Sequence, residues 1–146
     1  MIIFHNSCSD DQGSLFREFY LTNLKNHLSN SISGQIPNLT LVLVNTKTSE
    51  RFFASDQRGF SNPQAGTLIS ESIVSNNYDF YLVSQFSNRG CTVPNHYKVI
   101  YNDSQMEEGV LQEIIFSQCF NYVNWTGSIK IPGPLQYAKK LAKFSA

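Results

Sequence analysis

Tyr78-Asp79-Phe80-Tyr81-Leu82-Val83-Ser84, followed after a polar interval by His96-Tyr97-Lys98-Val99-Ile100-Tyr101, decides how this chain is read. Both are short apolar runs rich in aromatic and β-branched residues, the composition of strands buried on both faces. Working towards the N-terminus, Leu39-Thr40-Leu41-Val42-Leu43-Val44 is the clearest strand of all, and Ile2-Ile3-Phe4 opens the chain as another. Arg51 to Ala54 and Thr67 to Val74 read as short strands, with residues 56–66 as a long loop. Between the first two apolar runs, Leu15, Phe16, Phe19, Tyr20, Leu24 and Leu28 recur at helical spacing, so residues 14–29 are expected as an amphipathic helix. Towards the C-terminus, Ser104-x-x-Glu107 has the form of a capping box. The helix it would start presents Val110, Leu111, Ile114, Ile115, Cys119, Phe120 and Val123 inwards. Pro134 suits the first turn of a last helix ending near Phe144. Strands interleaved with helices in this order predict an α/β domain.

Composition narrows the function classes. The chain has 146 residues, enough for one domain. Eleven basic and eleven acidic residues cancel, which excludes a strongly basic nucleic-acid coat and an acidic tail. Aromatic residues at 13% supply a core and speak against disorder. Cys8, Cys91 and Cys119 are far apart and odd in number, so neither a disulfide framework nor a zinc site is expected. The first residues lack the basic and apolar regions of a signal peptide, and no run is long enough to span a bilayer. A cytoplasmic or nuclear protein without membrane association is the expectation. The neutral total hides an asymmetry: from Ile114 to Ala146 there are four lysines, Lys130, Lys139, Lys140 and Lys143, and no acidic residue.

Several strings in register carry a resemblance. They are Arg51-Phe52-Phe53; Asn62-Pro63-Gln64-Ala65-Gly66-Thr67; Tyr78 through Gln85; Arg89-Gly90; Pro94 through Tyr101; Tyr122-Val123-Asn124-Trp125; and Pro132 through Ala142. In order and spacing they resemble the PIWI domain of Argonaute/Piwi proteins, with Val83-Ser84-Gln85 and Asn124-Trp125 closer to the Piwi branch. The resemblance runs over nearly the whole chain but matches only the C-terminal half of that domain. It implies a partial RNase H-like fold, a mixed sheet flanked by helices, with the first strands and the MID and PAZ regions absent. Met1 to Phe4 then corresponds to an inner strand of the family fold, and an exposed apolar sheet edge is expected there.

Members of this family that cut RNA resemble RNase H in using two Mg²⁺ ions held by acidic side chains and a histidine. One family aspartate falls on Asn6 in Phe4-His5-Asn6-Ser7, and the family histidine falls on Lys139 in Tyr137-Ala138-Lys139. A neutral amide and an ammonium are poor ligands for a hard cation. The resemblance therefore implies no slicing and no metal cofactor. Asp10 and Asp11, near Asn6, are read as a solvated loop pair, and His96 as a packing or RNA-proximal residue.

The resemblance also implies guide-backbone contacts. Matched to family positions, the RNA-binding candidates are Lys47, Gln85, Tyr122, Asn124, Lys130 and Gln136. The implied partner is a single-stranded small RNA or a guide–target RNA duplex, held through phosphates rather than bases. Family chains run on past this last helix, so specific capture of a guide 5′-phosphate is not expected. Two alternatives stand beside this reading. One is a protein-interaction module completed by a chain that supplies the missing half of the sheet. The other is a degenerate family fragment with no function of its own.

Overall fold

The computed structural model describes residues 1–7, 13–31, 37–57, 59–71, 74 and 78–145, with the backbone alone for 13–17. The elements are β1 (Ile2–Ser7), α1 (Gly13–Ser31), β2 (Thr40–Asn45), β3 (Ala54–Asp56), β4 (Gly59–Ser61), β5 (Thr67–Ile69), β6 (Asp79–Val83), β7 (Asn95–Asn102), α2 (Glu108–Gln118) and α3 (Gly133–Phe144). Five strands form one mixed sheet in the order β1-β2-β7-β6-β5, and β3 and β4 form a separate hairpin. β1 and β2 are parallel, with Asn6 opposite Val44 and Ser7 opposite Asn45. β7 runs antiparallel to both β2 and β6. The carboxyl ends of β1, β2 and β6 therefore share one end of the sheet, where ligands of open α/β sheets commonly bind.

Alternation sorts the strand residues onto two faces. Val42, Val44, Phe80, Leu82 and Tyr97 form a buried core with Leu111 and Ile115 of α2 and Leu135 of α3. Phe80 and Tyr97 stack within it, ring centroids 5.2 Å apart. α1 joins the parallel strands β1 and β2 and covers the other face. Tyr20 meets the ring of His5 edge-on, and Lys25 Nζ donates to Tyr101 Oη at 2.7 Å.

Several expectations are corrected. Arg51–Phe53 is not a strand; the strand there is Ala54–Asp56, and its partner Gly59–Ser61 lies inside the expected loop. Gly59, at φ +120°, makes the tight hairpin turn possible, a conformation that strongly favours glycine. The strand expected over 67–74 ends at Ile69. The capping box does not form. The Ser104 hydroxyl instead bonds Asn102 Oδ1 at 2.9 Å and the Thr40 hydroxyl at 2.7 Å, and the helix starts after Glu107 with no side-chain cap. Only Leu111, Ile115 and Cys119 of its expected inner face are buried; Val110, Phe120 and Val123 are exposed, as is Phe19 on α1. β1 does lie at the sheet edge, but its residues are half-buried. Cys8, Asp10, Asp11 and the side chains of Leu15 and Phe16 lie outside the described residues. Among the described residues no helix is long and apolar enough to cross a membrane.

Candidate nucleic-acid interface

The segment between α2 and α3 carries the chemistry to the sheet end. Lys130 is anchored from three sides. Its carbonyl accepts from Ser84 Oγ at 2.6 Å and from Asn95 Nδ2, and its ammonium donates to the Thr46 carbonyl at 3.4 Å. These partners come from the ends of β6, β7 and β2, so the site is assembled from distant parts of the chain. Ile131 is buried, and Gly133 admits α3 at close range. A Cβ at Gly133 would collide with the Asn121 carbonyl, so only glycine fits without displacing backbone.

Two further cations lie beside Lys130. Arg51 is held by its own loop, Nη1 donating to the Thr48 carbonyl at 2.9 Å and to the Glu50 carbonyl at 2.7 Å. Thr48 is itself buried, and its hydroxyl donates to the Pro94 carbonyl at 2.8 Å. Lys139 projects from α3, which packs against β1. Burial, with the charges of Arg51 and Lys139, pushes the Lys130 ammonium below the usual lysine value. Lys47 sits exposed in the turn after β2, its N–H donating to Asn45 Oδ1 at 2.9 Å. Gln85 and Lys130 border an open, mainly polar cavity of about 500 Å³ that also receives Arg89 and Thr92.

Tyr122, Asn124 and Gln136 form a second, more exposed cluster. Lys140 Nζ bonds the Tyr122 hydroxyl and also lies over its ring, 5.0 Å from the centroid. Asn124 Nδ2 reaches the same hydroxyl at 3.5 Å. The Lys140 bond first, then Asn124 and Gln136, lowers the Tyr122 pKa. Tyr137 packs at 5.3 Å from Tyr122 and accepts from the Val123 N–H at 3.1 Å.

The structure thus brings Lys47, Gln85 and Lys130 to the sheet end and places Tyr122, Asn124 and Gln136 on the α3 side. Sequence reading missed Arg51, Arg89 and Lys140. The two arginines belong to strings that signal only the family fold, and Lys140 has no signal beyond the lysine-rich tail. His96 is a packing residue: buried, paired with Asp79 and stacked on Tyr81 with centroids 4.4 Å apart.

The positions matched to metal ligands do not fit Mg²⁺. Asn6 offers a neutral amide whose Oδ1 is buried without a hydrogen-bond partner. Lys139 offers a cation beside two others. Among the described residues no group of three or more His, Cys, Asp or Glu side chains is placed to hold a metal ion.

Comparison with known proteins agrees with this architecture. The Piwi domain family matches residues 1–146. Piwi-like protein 1 of Gallus gallus is 33% identical over 143 residues, which is 97% of this chain and 16% of that protein. The C-terminal lobe of a budding yeast Argonaute superposes with a TM-score of 0.85 at 25% identity, covering 97% of this chain and 32% of that one. Argonaute of Kluyveromyces polysporus, solved with a guide RNA, gives 0.84 at 25% identity over 97% of this chain and 19% of that one. The five-stranded mixed sheet is accordingly the RNase H-like fold of the Argonaute C-terminal lobe.

Proposed function

The chain belongs to the Argonaute/Piwi family, and on that premise we propose that it holds RNA by the sugar–phosphate backbone in small-RNA silencing without cutting it. The observation that carries this reading is convergence. Lys47 and Arg51 lie in the loop after β2 and Lys130 lies far along the chain, yet all come to the carboxyl ends of the strands, where Lys130 is tied to the Thr46 carbonyl across 84 residues. Cations held there by backbone carbonyls suit phosphate oxygens, which position a strand without reading its bases. The Kluyveromyces polysporus Argonaute, whose structure contains a guide RNA, supports RNA as the ligand class. The ligand class is single-stranded small RNA or a guide–target RNA duplex.

Absence of cleavage follows from the donor set. Two-metal hydrolysis needs anionic oxygens to bring two cations together. Asn6 and Lys139 supply an amide and an ammonium at the matched positions. Incubating the chain with guide-paired RNA in Mg²⁺ or Mn²⁺ tests this: intact RNA is expected, and a discrete cleavage product contradicts it. Backbone holding is tested by titrating labelled single-stranded RNA at two ionic strengths. Affinity falling with salt supports it; no binding at low salt overturns it.

One observation favours a second reading. β1 is an edge strand carrying Ile2, Ile3 and Phe4, and half of its backbone hydrogen-bonding groups point away from β2. Such an edge is a template for strand addition by a protein partner. Light scattering after size exclusion distinguishes the two, because a stable monomer that binds RNA needs no such partner.

A further inference from the structure

Away from the sheet end, two apolar faces stand exposed, one with an acidic rim and one with a basic rim. We propose that these faces bind each other between copies: the outer stripe of α3 of one chain seats in a groove on α2 of the next, joining copies head to tail. The proposal goes beyond the RNA-holding reading and uses none of its sheet-end cations.

Leu111 and Ile115 turn one side of α2 into the core. Another side is lined by Glu113, Ile114, Phe116, Ser117 and Phe120 around an open, mainly apolar cavity of about 410 Å³. Phe116 and Phe120 meet edge to face, ring centroids 5.2 Å apart, and form its wall. Phe120 is half exposed, and so is Val110, three residues before Glu113. The charge around this groove has one sign. From Val99 to Ile129 the chain carries Asp103, Glu107, Glu108 and Glu113 and no Lys, Arg or His. Glu113 is exposed at the groove itself.

The stripe on α3 is the complement. Tyr137, Leu141 and Phe144 follow one another at helical spacing, and all three are exposed, Leu141 at 67% and Phe144 at 87%, so the last two keep most of their apolar surface outside their own chain. Such spacing presents anchors to a groove. The exposed Lys140 and Lys143 flank the stripe, and no acidic residue follows Glu113 in the sequence. Placement makes the contact intermolecular. α3 packs against β1, one edge of the sheet. A Cβ at Gly66 would stand 3.3 Å from the Phe116 ring, and Gly66 leads into β5, the opposite edge. The two edges are about 19 Å apart across the sheet, so the stripe does not reach the groove of its own chain. Seating Leu141 and Phe144 takes apolar surface out of water, and Glu113 meets lysines at the rim. One such contact leaves a free groove at one end and a free stripe at the other, so association continues unless the rotation closes a ring. A single helix face makes a small contact, hence a weak and salt-sensitive one.

Analytical ultracentrifugation of the 146-residue chain at rising concentration, in low and in high salt, tests this. Mean mass should rise with concentration and fall back with salt. Two variants at exposed positions break one face each. Phe120→Lys removes part of the groove wall and repels the α3 lysines; Leu141→Glu removes an anchor and repels Glu113. Each alone should lose self-affinity by about tenfold. Mixed, the intact stripe of Phe120→Lys and the intact groove of Leu141→Glu should pair as a one-to-one dimer and stop there. Phe120→Ser and Leu141→Ser take their places if a charged variant fails to fold. A wild-type chain that stays monomeric at every concentration overturns the inference and leaves the groove to a basic partner of another kind. Undiminished association in either variant overturns it too and moves the self-contact elsewhere, the β1 edge foremost. Variants that are monomeric alone and stay so when mixed overturn the head-to-tail arrangement.

Discussion

The two basic regions of this molecule are built in opposite ways. At the sheet end, the half-buried Lys130 and the exposed Arg51 are held by backbone carbonyls. On the outer side of α3, the exposed Lys140 leans on the ring and hydroxyl of Tyr122. Confining a lysine near other cations costs folding free energy, because the charged form loses water and is repelled. Burial first, then the charges of Arg51 and Lys139, lowers the Lys130 pKa in that sense. Solvent screens the exposed Lys140–Tyr122 contact, which limits what it contributes. Perturbed lysines are enriched at functional sites. The α3 platform is better described as a surface that assists binding.

This contrast is easiest to break at Lys130. Lys130→Glu should lower RNA affinity by about a hundredfold, through loss of one phosphate contact and repulsion of the strand by a fixed carboxylate. Fluorescence anisotropy at low salt reads the effect. A loss no larger than that of an exposed lysine would erase the distinction between the regions.

Gly133→Ala comes next, because it strikes the joint shared by both. The added methyl group meets the Asn121 carbonyl, so α3 must shift. Thermal or urea unfolding should show a loss of about 1–3 kcal/mol, accompanied by weaker RNA binding. A fully stable variant would mean that the helix start tolerates displacement.

Alkaline pH probes the core beneath the two regions. Burial raises the Cys119 thiol to about 11 from its ordinary 9.0. The folded state thus resists ionisation that the unfolded chain allows. This contribution is fully present below pH 9 and is lost as pH rises towards 11. Urea midpoints should fall across that window, and less so in Cys119→Ala once its lower starting stability is subtracted. Lys140→Ala gives the smallest expected effect, a loss of about twofold to threefold in affinity. A tenfold loss would promote the platform to a main binding surface.

The legible part of the fold was the part governed by burial. β2 and β6 are continuous apolar runs with every face covered or nearly so, and they lie where those runs predict. The β3–β4 hairpin escaped because its residues are exposed and carry no alternating pattern. Ser104 misled because a hydroxyl suited to a helix cap had a competing tertiary partner in Thr40. Phe120 and Val123 misled because helical periodicity was extended past Gln118, where α2 ends. For the site, Lys47, Gln85 and Lys130 were found through a family resemblance. Their gathering at one sheet end was not readable, since it depends on strand order and on the carbonyl bonds that hold Lys130. Arg51 shows the limit most clearly, because its bonds to the Thr48 and Glu50 carbonyls are features of the folded loop.

Titration of labelled single-stranded RNA with the purified chain, at low and at physiological salt, tests the central claim most directly. The account predicts binding at low salt that weakens steeply as salt rises, with the RNA recovered intact. No binding at low salt, or RNA cut in the presence of Mg²⁺, would contradict it.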